Sequence, residues 1–300
     1  MNQRNELSKI NAKAHIDTVH PHGLQWPESF GPEELQFLSQ AVFGRAGHED
    51  GAVAYITKEL AQLAEIERHV SAVLAYVMSE LQKNDEELAA GFELHDALSC
   101  FAAEELHHAN MFCRYVRLLS GRDFRYPENL FSERVGLYQG EDSPYVKLAA
   151  LCCSAYVGES VITVFERRAK SLDPEMKFFF TRLLHVHGLD EARHIKTDHF
   201  VFDRVIPSLK PAQRRRMRQI LEGTEALNGE VATRFEAHAK EVFGFDYTEG
   251  NWGHDIQLLL ARTFRDIVLG DGEVHHVDAA INDGHRALIE RFSGARHVHA

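Results

Sequence analysis

Apolar residues recur every three or four positions through the middle of the chain. The most regular series predicts one long helix with an apolar stripe along one face, formed by Ile56, Leu60, Leu63, Val70, Leu74, Val77 and Leu81. Comparable stripes follow within residues 94–118, 148–166 and 180–205. Residues 51–206 are therefore predicted to form four long helices that share one core.

The connections between these helices indicate how the helices pair. The first and third connections are short, whereas the second spans residues 121–143. Asp173 followed by Pro174 predicts the start of the fourth helix. Two antiparallel pairs joined by a long crossover are typical of a ferritin-like bundle.

The flanking segments extend this bundle. Residues 1–50 are predicted to form an extended arm and one short helix, and residues 207–300 are predicted to add further helices. The predicted fold class is all-α: a ferritin-like four-helix bundle with a C-terminal helical extension, in a single domain over residues 1–300.

Each predicted bundle helix carries acidic residues inside its apolar stripe. In chain order the interrupting side chains are Glu67, Glu104 with His107, Glu159, and His187 with Glu191 and His194. Buried carboxylates at close range cannot all ionise unless cations balance their charge. Imidazoles together with carboxylates suit zinc or iron. Glu-x-x-His on two helices with a glutamate on each of the other two is the pattern of a two-metal carboxylate site.

Two of these ligand assignments have alternatives. Glu59 and Glu65 compete with Glu67, although only Glu67 lies on the apolar stripe of its helix. His108 could replace His107, because positions three and four residues after a glutamate share its helical face.

Two more acids are predicted to support the ligands. Asp190 could accept a hydrogen bond from a liganding imidazole, that of His107, with an exposed surface position as the alternative. Glu166 lies on the same stripe as Glu159 and is predicted to be a buried supporting or ion-pairing group.

The composition argues against several classes of partner and location. The formal net charge of −12 argues against nucleic acid or an anionic membrane as a partner. The four cysteines form no Cys-x-x-Cys pair, and reduced thiols in a cytoplasmic protein are expected. The sequence has no secretory signal pattern and no run that approaches the apolar length of a membrane span.

The histidine one turn before the Glu-x-x-His of the fourth helix is the most specific feature. With His187, Glu191 and His194 in His-x-x-x-Glu-x-x-His, and with the helix-two Glu-x-x-His, the sequence resembles the p-aminobenzoate N-oxygenase family. The resemblance covers about residues 60–206, and Glu67 and Glu159 match that family's single glutamates by spacing only. It implies a ferritin-like site for two iron ions with seven protein ligands.

The resemblance also implies an activity. The expected reaction is O₂-dependent oxygenation of an amine nitrogen, of an arylamine to its hydroxylamine, nitroso or nitro product. We expect a free or carrier-bound small-molecule amine, an electron-donor reductase or ferredoxin, and a homodimer, with manganese as an alternative to iron. The expected apolar substrate pocket is lined by Phe101, Ile162, Phe180 and Leu184. The alternatives are di-iron C–H hydroxylation or desaturation, and a non-enzymatic iron-binding bundle.

Overall fold

The computed structural model describes residues 3–18, 20–82, 91–126, 128–270 and 281–294. The described residues are 81% helical, and no strand occurs in these ranges. The helices are α1 (Gln3–Asp17), α2 (Pro32–Phe43), α3 (Glu49–Leu81), α4 (Gly91–Ser120), α5 (Phe131–Gly136), α6 (Pro144–Leu172), α7 (Phe179–Phe200), α8 (Pro211–Phe243), α9 (Trp252–Leu269) and α10 (Asp283–Ser293).

Helices α3, α4, α6 and α7 form the predicted four-helix bundle. Helix α3 packs mainly against α4, and α6 packs against α7. The long connection between α4 and α6 carries the short helix α5, which packs on α3 and α8. The all-α, ferritin-like fold is therefore confirmed, because the apolar stripe of each long helix is buried against the others.

The start of α7 differs from the sequence prediction. Helix α7 begins at Phe179, not at Asp173, which instead accepts backbone hydrogen bonds from Lys177 and Phe178. The free amide groups of the first turn of α7 are satisfied by Glu34 of α2, whose carboxylate accepts from Phe179 N at 2.9 Å and from Phe180 N at 2.8 Å. A tertiary contact thus fixes this helix start, which local sequence could not reveal.

The predicted extended arm is wrong for residues 3–17, which form α1. This helix packs against α4 and α7. Leu7, Ile10 and Ala14, spaced by three and four residues, are buried at 0%, 7% and 3% exposure. The short apolar stripe gains its stability from this packing, since an isolated helix of such length is marginal in water.

The C-terminal helices surround α6. Helix α8 packs on α3 and α6, and α9 and α10 pack on α6. Buried Arg168 of α6 donates to the backbone oxygens of Ala41, Gln40 and Phe292 and so joins α2 and α10 to the bundle. By length and composition alone α6 could cross a membrane, contrary to the prediction of no such run. It is mostly buried in the bundle, and a core helix passes the same test.

Candidate metal centre

Helix α7 presents a line of ionisable side chains to the bundle interior. His187, Glu191 and His194 are all buried and lie on successive turns of one face. Glu191 Oε1 lies 3.1 Å from His187 Nε2 and 3.4 Å from His194 Nδ1. The structure thus brings together the His-x-x-x-Glu-x-x-His trio as the sequence predicted.

Helix α4 contributes Glu105 and His108 to the same space. Both side chains are buried. Glu105 Oε1 is 3.1 Å from His194 Nδ1, and His108 Nδ1 is 3.2 Å from Glu191 Oε1. The helix-two pair therefore lies one residue later than the predicted Glu104 and His107.

Glu104 and His107 point to different surroundings. Glu104 accepts from His194 Nε2 at 2.8 Å and from Arg193 and Thr18, on the side of His194 away from Glu105. His107 is half-buried, with its ring edge against His20 at a centroid distance of 4.8 Å. Both Glu-x-x-His pairs have the same spacing, so spacing alone does not distinguish them.

The sequence contained a signal for the pair that faces the cluster. In α7 the ligand-type glutamate is preceded by an acid, as Asp190-Glu191, and followed three residues later by His194. The α4 sequence has the same acid-Glu-x-x-His order only if Glu105 and His108 are taken as the equivalents of Glu191 and His194. The alternative His108 is thus the imidazole that the structure places in the cluster.

Helix α3 places Glu67 in the cluster. Its carboxylate oxygens lie 3.4 Å from His187 Nε2 and 3.6 Å from His108 Nδ1. Glu65, its rival on the same helix, instead contacts Arg68 and Asn129. Two overlapping groups of four potential metal ligands result; they are Glu67, His108, His187 and Glu191, and Glu105, His108, Glu191 and His194.

Helix α6 places Glu159 beside an acid that was not predicted; Glu159 is in neither group of four, although the charges of Glu191 and Glu67 act on it. Glu159 and Asp198 are both buried, and neither carboxylate makes a hydrogen bond of good geometry to a basic side chain among the described residues. Burial and the adjacent Asp198 raise the pKa of Glu159 well above its usual range. Asp198 lies four residues after His194 and so continues the line of α7 side chains, which was the available signal.

The imidazoles of the two Glu-x-x-His motifs are held crosswise. Asp190 of α7 accepts from His108 Nε2 of α4 at 3.1 Å, and Glu104 of α4 accepts from His194 Nε2 of α7 at 2.8 Å. Arg193 donates to both acids. Asp190 is thus an acceptor for an imidazole, as predicted, although its partner is His108 and not His107. These contacts fix the imidazole orientations.

The electrostatics of the cluster reflect crowded acids and imidazoles. Burial raises the pKa of Glu67, but contacts with Glu105 and the nearby imidazoles outweigh it and lower that pKa to about 2. Burial and the charge of Glu67 raise the pKa of Glu105 well above its usual range. Burial lowers the pKa of His194, but the charge of Glu191 and a hydrogen bond to Glu104 raise it to about 9. Protons on Glu105 and His194 thus balance the negative charge of the other carboxylates, and bound cations could balance that charge instead.

The donor atoms fit two metal ions. His108 Nδ1 and His194 Nδ1 lie 3.2 and 3.4 Å from Glu191 Oε1, yet none of these three buried atoms makes a hydrogen bond of good geometry in the described ranges. Buried polar atoms are rarely left in this state unless a water or an ion satisfies them. Nitrogen and carboxylate donors without a thiolate suit iron or manganese.

The remaining predicted residues lie around this cluster. Glu166 is half-buried, not buried as predicted; it lies 3.4 Å from His185 Nδ1 and against Gly188, where an added Cβ would displace its carboxylate. The Phe101 ring stacks on His194 at a centroid distance of 3.8 Å. Phe180 and Leu184 are buried, and Ile162 is partly buried against the same core.

Comparison with known proteins gives a family match and a structural match. The family model described as P-aminobenzoate N-oxygenase AurF matches residues 54–251. Comparison with curated proteins returned no match. Among solved structures, a mutant of R2-like ligand-binding oxidase with an anaerobically reconstituted Mn/Fe cofactor is similar at a TM-score of 0.52 and 14% identity, covering 87% of this chain and 92% of that chain. At this identity the likeness supports the fold alone.

Proposed function

Because the chain belongs to the p-aminobenzoate N-oxygenase AurF family, we propose that it is a non-haem di-iron oxygenase that transfers oxygen from O₂ to an amine nitrogen. The observation that carries this proposal is the buried cluster of carboxylates and imidazoles that brings four potential ligand atoms together in each of two overlapping groups. Such a cluster is stable only with bound protons or bound cations.

The proposed ligands come from all four bundle helices. They are Glu67, Glu105, His108, Glu159, His187, Glu191 and His194. Compared with the sequence prediction, Glu105 and His108 replace Glu104 and His107. Two irons are proposed, and the Mn/Fe cofactor of the structural neighbour makes manganese in one position the alternative.

Neighbouring side chains orient the proposed ligands. Asp190 and Glu104 each accept from the Nε2 of one imidazole, so that the Nδ1 atoms of His108 and His194 face the cluster. Phe101 covers one face of His194 and excludes water there. When bound, the metal pair supplies the chemistry that activates O₂.

An aromatic amine suits the surroundings of the site. Phe112 lies against His187 at a centroid distance of 5.0 Å, and Phe101 stacks on His194. A neutral arylamine keeps an unprotonated nitrogen lone pair near neutral pH, whereas an alkylammonium would first have to lose its proton and its water. We propose a free or carrier-bound arylamine.

The reaction also needs an electron donor. In the first oxygenation, one oxygen atom of O₂ is inserted into an N–H bond of the amine to give N–OH. The other oxygen atom is reduced to water, which consumes a pair of electrons and a pair of protons. A reductase or ferredoxin is the proposed donor. A homodimer in the cytoplasm is the proposed form of the protein.

The test combines metal analysis with a substrate panel under ¹⁸O₂. Protein from iron-replete medium should contain two metal ions per chain and convert an arylamine to a product with ¹⁸O on nitrogen. Glu191→Ala should lose both properties, whereas Glu230→Ala, which removes a glutamate from an exposed pair with Arg234 on α8, should keep them. Oxygen on carbon or desaturation would favour hydroxylase or desaturase chemistry. Metal-free, inactive protein would favour a non-enzymatic bundle.

A further inference from the structure

We propose that His15, Asp96 and Cys100 form a second metal site, for a divalent ion of the zinc class, that fixes α1 to α4. One potential ligand atom from each of these residues lies within 4.8 Å of the others. The three belong to two different helices, so an ion bound here would cross-link them. The site is separate from the bundle cluster and contains a thiol, which the proposed ligands of the bundle do not.

The spacing of the donor atoms suits a tetrahedral ion. His15 Nε2 lies 3.2 Å from both carboxylate oxygens of Asp96 and 4.0 Å from Cys100 Sγ. With usual zinc–ligand bond lengths, tetrahedral geometry puts nitrogen and oxygen about 3.3 Å apart and nitrogen and sulfur about 3.6 Å apart. The two distances from His15 are therefore within a few tenths of an ångström of these values, and the oxygen and sulfur donors lie within 4.8 Å of each other.

Other contacts hold the donors in place. Leu7, Ile10 and Ala14 bury one side of α1, and Asn11 Nδ2 donates to the backbone oxygen of Glu93 on α4 at 3.0 Å. On α4, Asp96 and Cys100 are four residues apart and share a face. The position of His15 is thus set by packing that includes none of the three ligands. His15 is exposed, which leaves the fourth coordination position open to water.

The local charge favours a soft divalent cation. Burial, followed by the charges of Asp96 and Glu104, raises the pKa of Cys100 to about 11. Arg193 pairs with Glu104, so Asp96 is the acid that attracts a cation here; a bound cation would displace the thiol proton and bind the thiolate. Thiolate, imidazole and carboxylate together are typical zinc ligands, whereas magnesium and calcium prefer oxygen ligands alone.

An ion at this position would also restrain a residue of the bundle network. Thr18 follows His15 by three residues and donates to Glu104, the acid that holds His194. A cross-link between α1 and α4 would therefore hold Thr18 in place on Glu104. This makes the site a means by which a surface-bound ion stabilises the surroundings of a proposed ligand.

Cobalt(II) is the probe for the test, because cobalt bound to thiolate gives an intense near-ultraviolet absorption band. Iron-loaded full-length protein should bind one further cobalt ion per chain with this band, and excess zinc should abolish it. Cys100→Ala and His15→Ala should lose the extra ion and the band. Cys113→Ala, which removes the other partly buried cysteine, should keep both.

Amide hydrogen exchange gives a second readout. Zinc should slow exchange in residues 7–18 of the parent protein and of Cys113→Ala, and should have no such effect in His15→Ala, whose exposed side chain contributes little to folding. A cobalt band that persists in Cys100→Ala, the absence of a further ion in the parent, or zinc protection that persists in His15→Ala would overturn the proposal.

Discussion

Asp190→Asn tests how far one buried acid controls the bundle site. Asp190 is 0% exposed, accepts from His108 Nε2 at 3.1 Å and accepts from Arg193. Asparagine keeps the shape and one acceptor oxygen but removes the negative charge. His108 should then lose part of the interaction that fixes its ring and raises its basicity as a ligand.

The expected outcome depends on the loss of metal affinity and on the loss of folding stability. Loss of such a supporting contact weakens metal binding about 10–100-fold, which corresponds to about 1.4–2.7 kcal/mol. The loss of folding stability should be about 1–3 kcal/mol, because Arg193 keeps its contact with Glu104. A fold with about 5–15 kcal/mol of stability survives this loss, so the metal affinity of a folded variant can be measured.

The assay is competition for iron(II) or manganese(II) against a chelator under anaerobic conditions, at constant pH. Asp142→Asn is the control, since it removes the same charge from an ion pair with Arg216 of α8 at 2.8 Å. The control should bind metal as the parent does. If Asp190→Asn is folded and binds metal within about twofold of the parent, the reasoning that Asp190 orients a liganding imidazole is refuted.

Three further predictions concern other parts of the site and its support. His187→Ala should fold, yet show a changed ultraviolet–visible spectrum after O₂ is added to the reduced protein and at least about tenfold lower turnover; an unchanged spectrum would identify His187 as a core histidine. Glu34→Gln should lower the free energy of unfolding by about 1–2 kcal/mol in urea, because the charged cap of α7 is lost, and equal midpoints would contradict this. The His194 pKa is about 9 in the folded protein against 6.5, so metal-free protein should lose stability from pH 6.5 to pH 9, and His194→Gln should reduce that slope.

The bundle and the trio on α7 were predictable because burial imposes the helical period on the sequence. The stripe around Glu67 and the spacing of His187, Glu191 and His194 survive any small change in helix packing. The extent of α1 was missed, since Leu7, Ile10 and Ala14 form too short a stripe to stand out from the polar residues around them.

The register of the α4 pair depended on tertiary structure. Glu104 with His107 and Glu105 with His108 have identical spacing, so spacing could not decide between them. The rotation of α4 that turns Glu105 and His108 inward is set by its neighbours, and the sequence signal for it was the acid that precedes the glutamate in both motifs. Asp198 was not predicted, because the His-x-x-x-Glu-x-x-His motif ends at His194 and Asp198 lies one helical turn beyond it. The role of Arg193 arises from acids on two helices, and single-helix periodicity contains no information about such a contact.

The crosswise hold on the imidazoles has a consequence for anyone who would transplant this site. Each Glu-x-x-His motif carries beside its glutamate the acid that the opposite histidine needs, Glu104 for His194 and Asp190 for His108. A design that grafts only one of these helices into a new scaffold would include a histidine whose ring orientation is not fixed. It would also include an acid that has no imidazole partner. Only the two helices together, in their native rotation and with Arg193 between them, form a unit that can be moved.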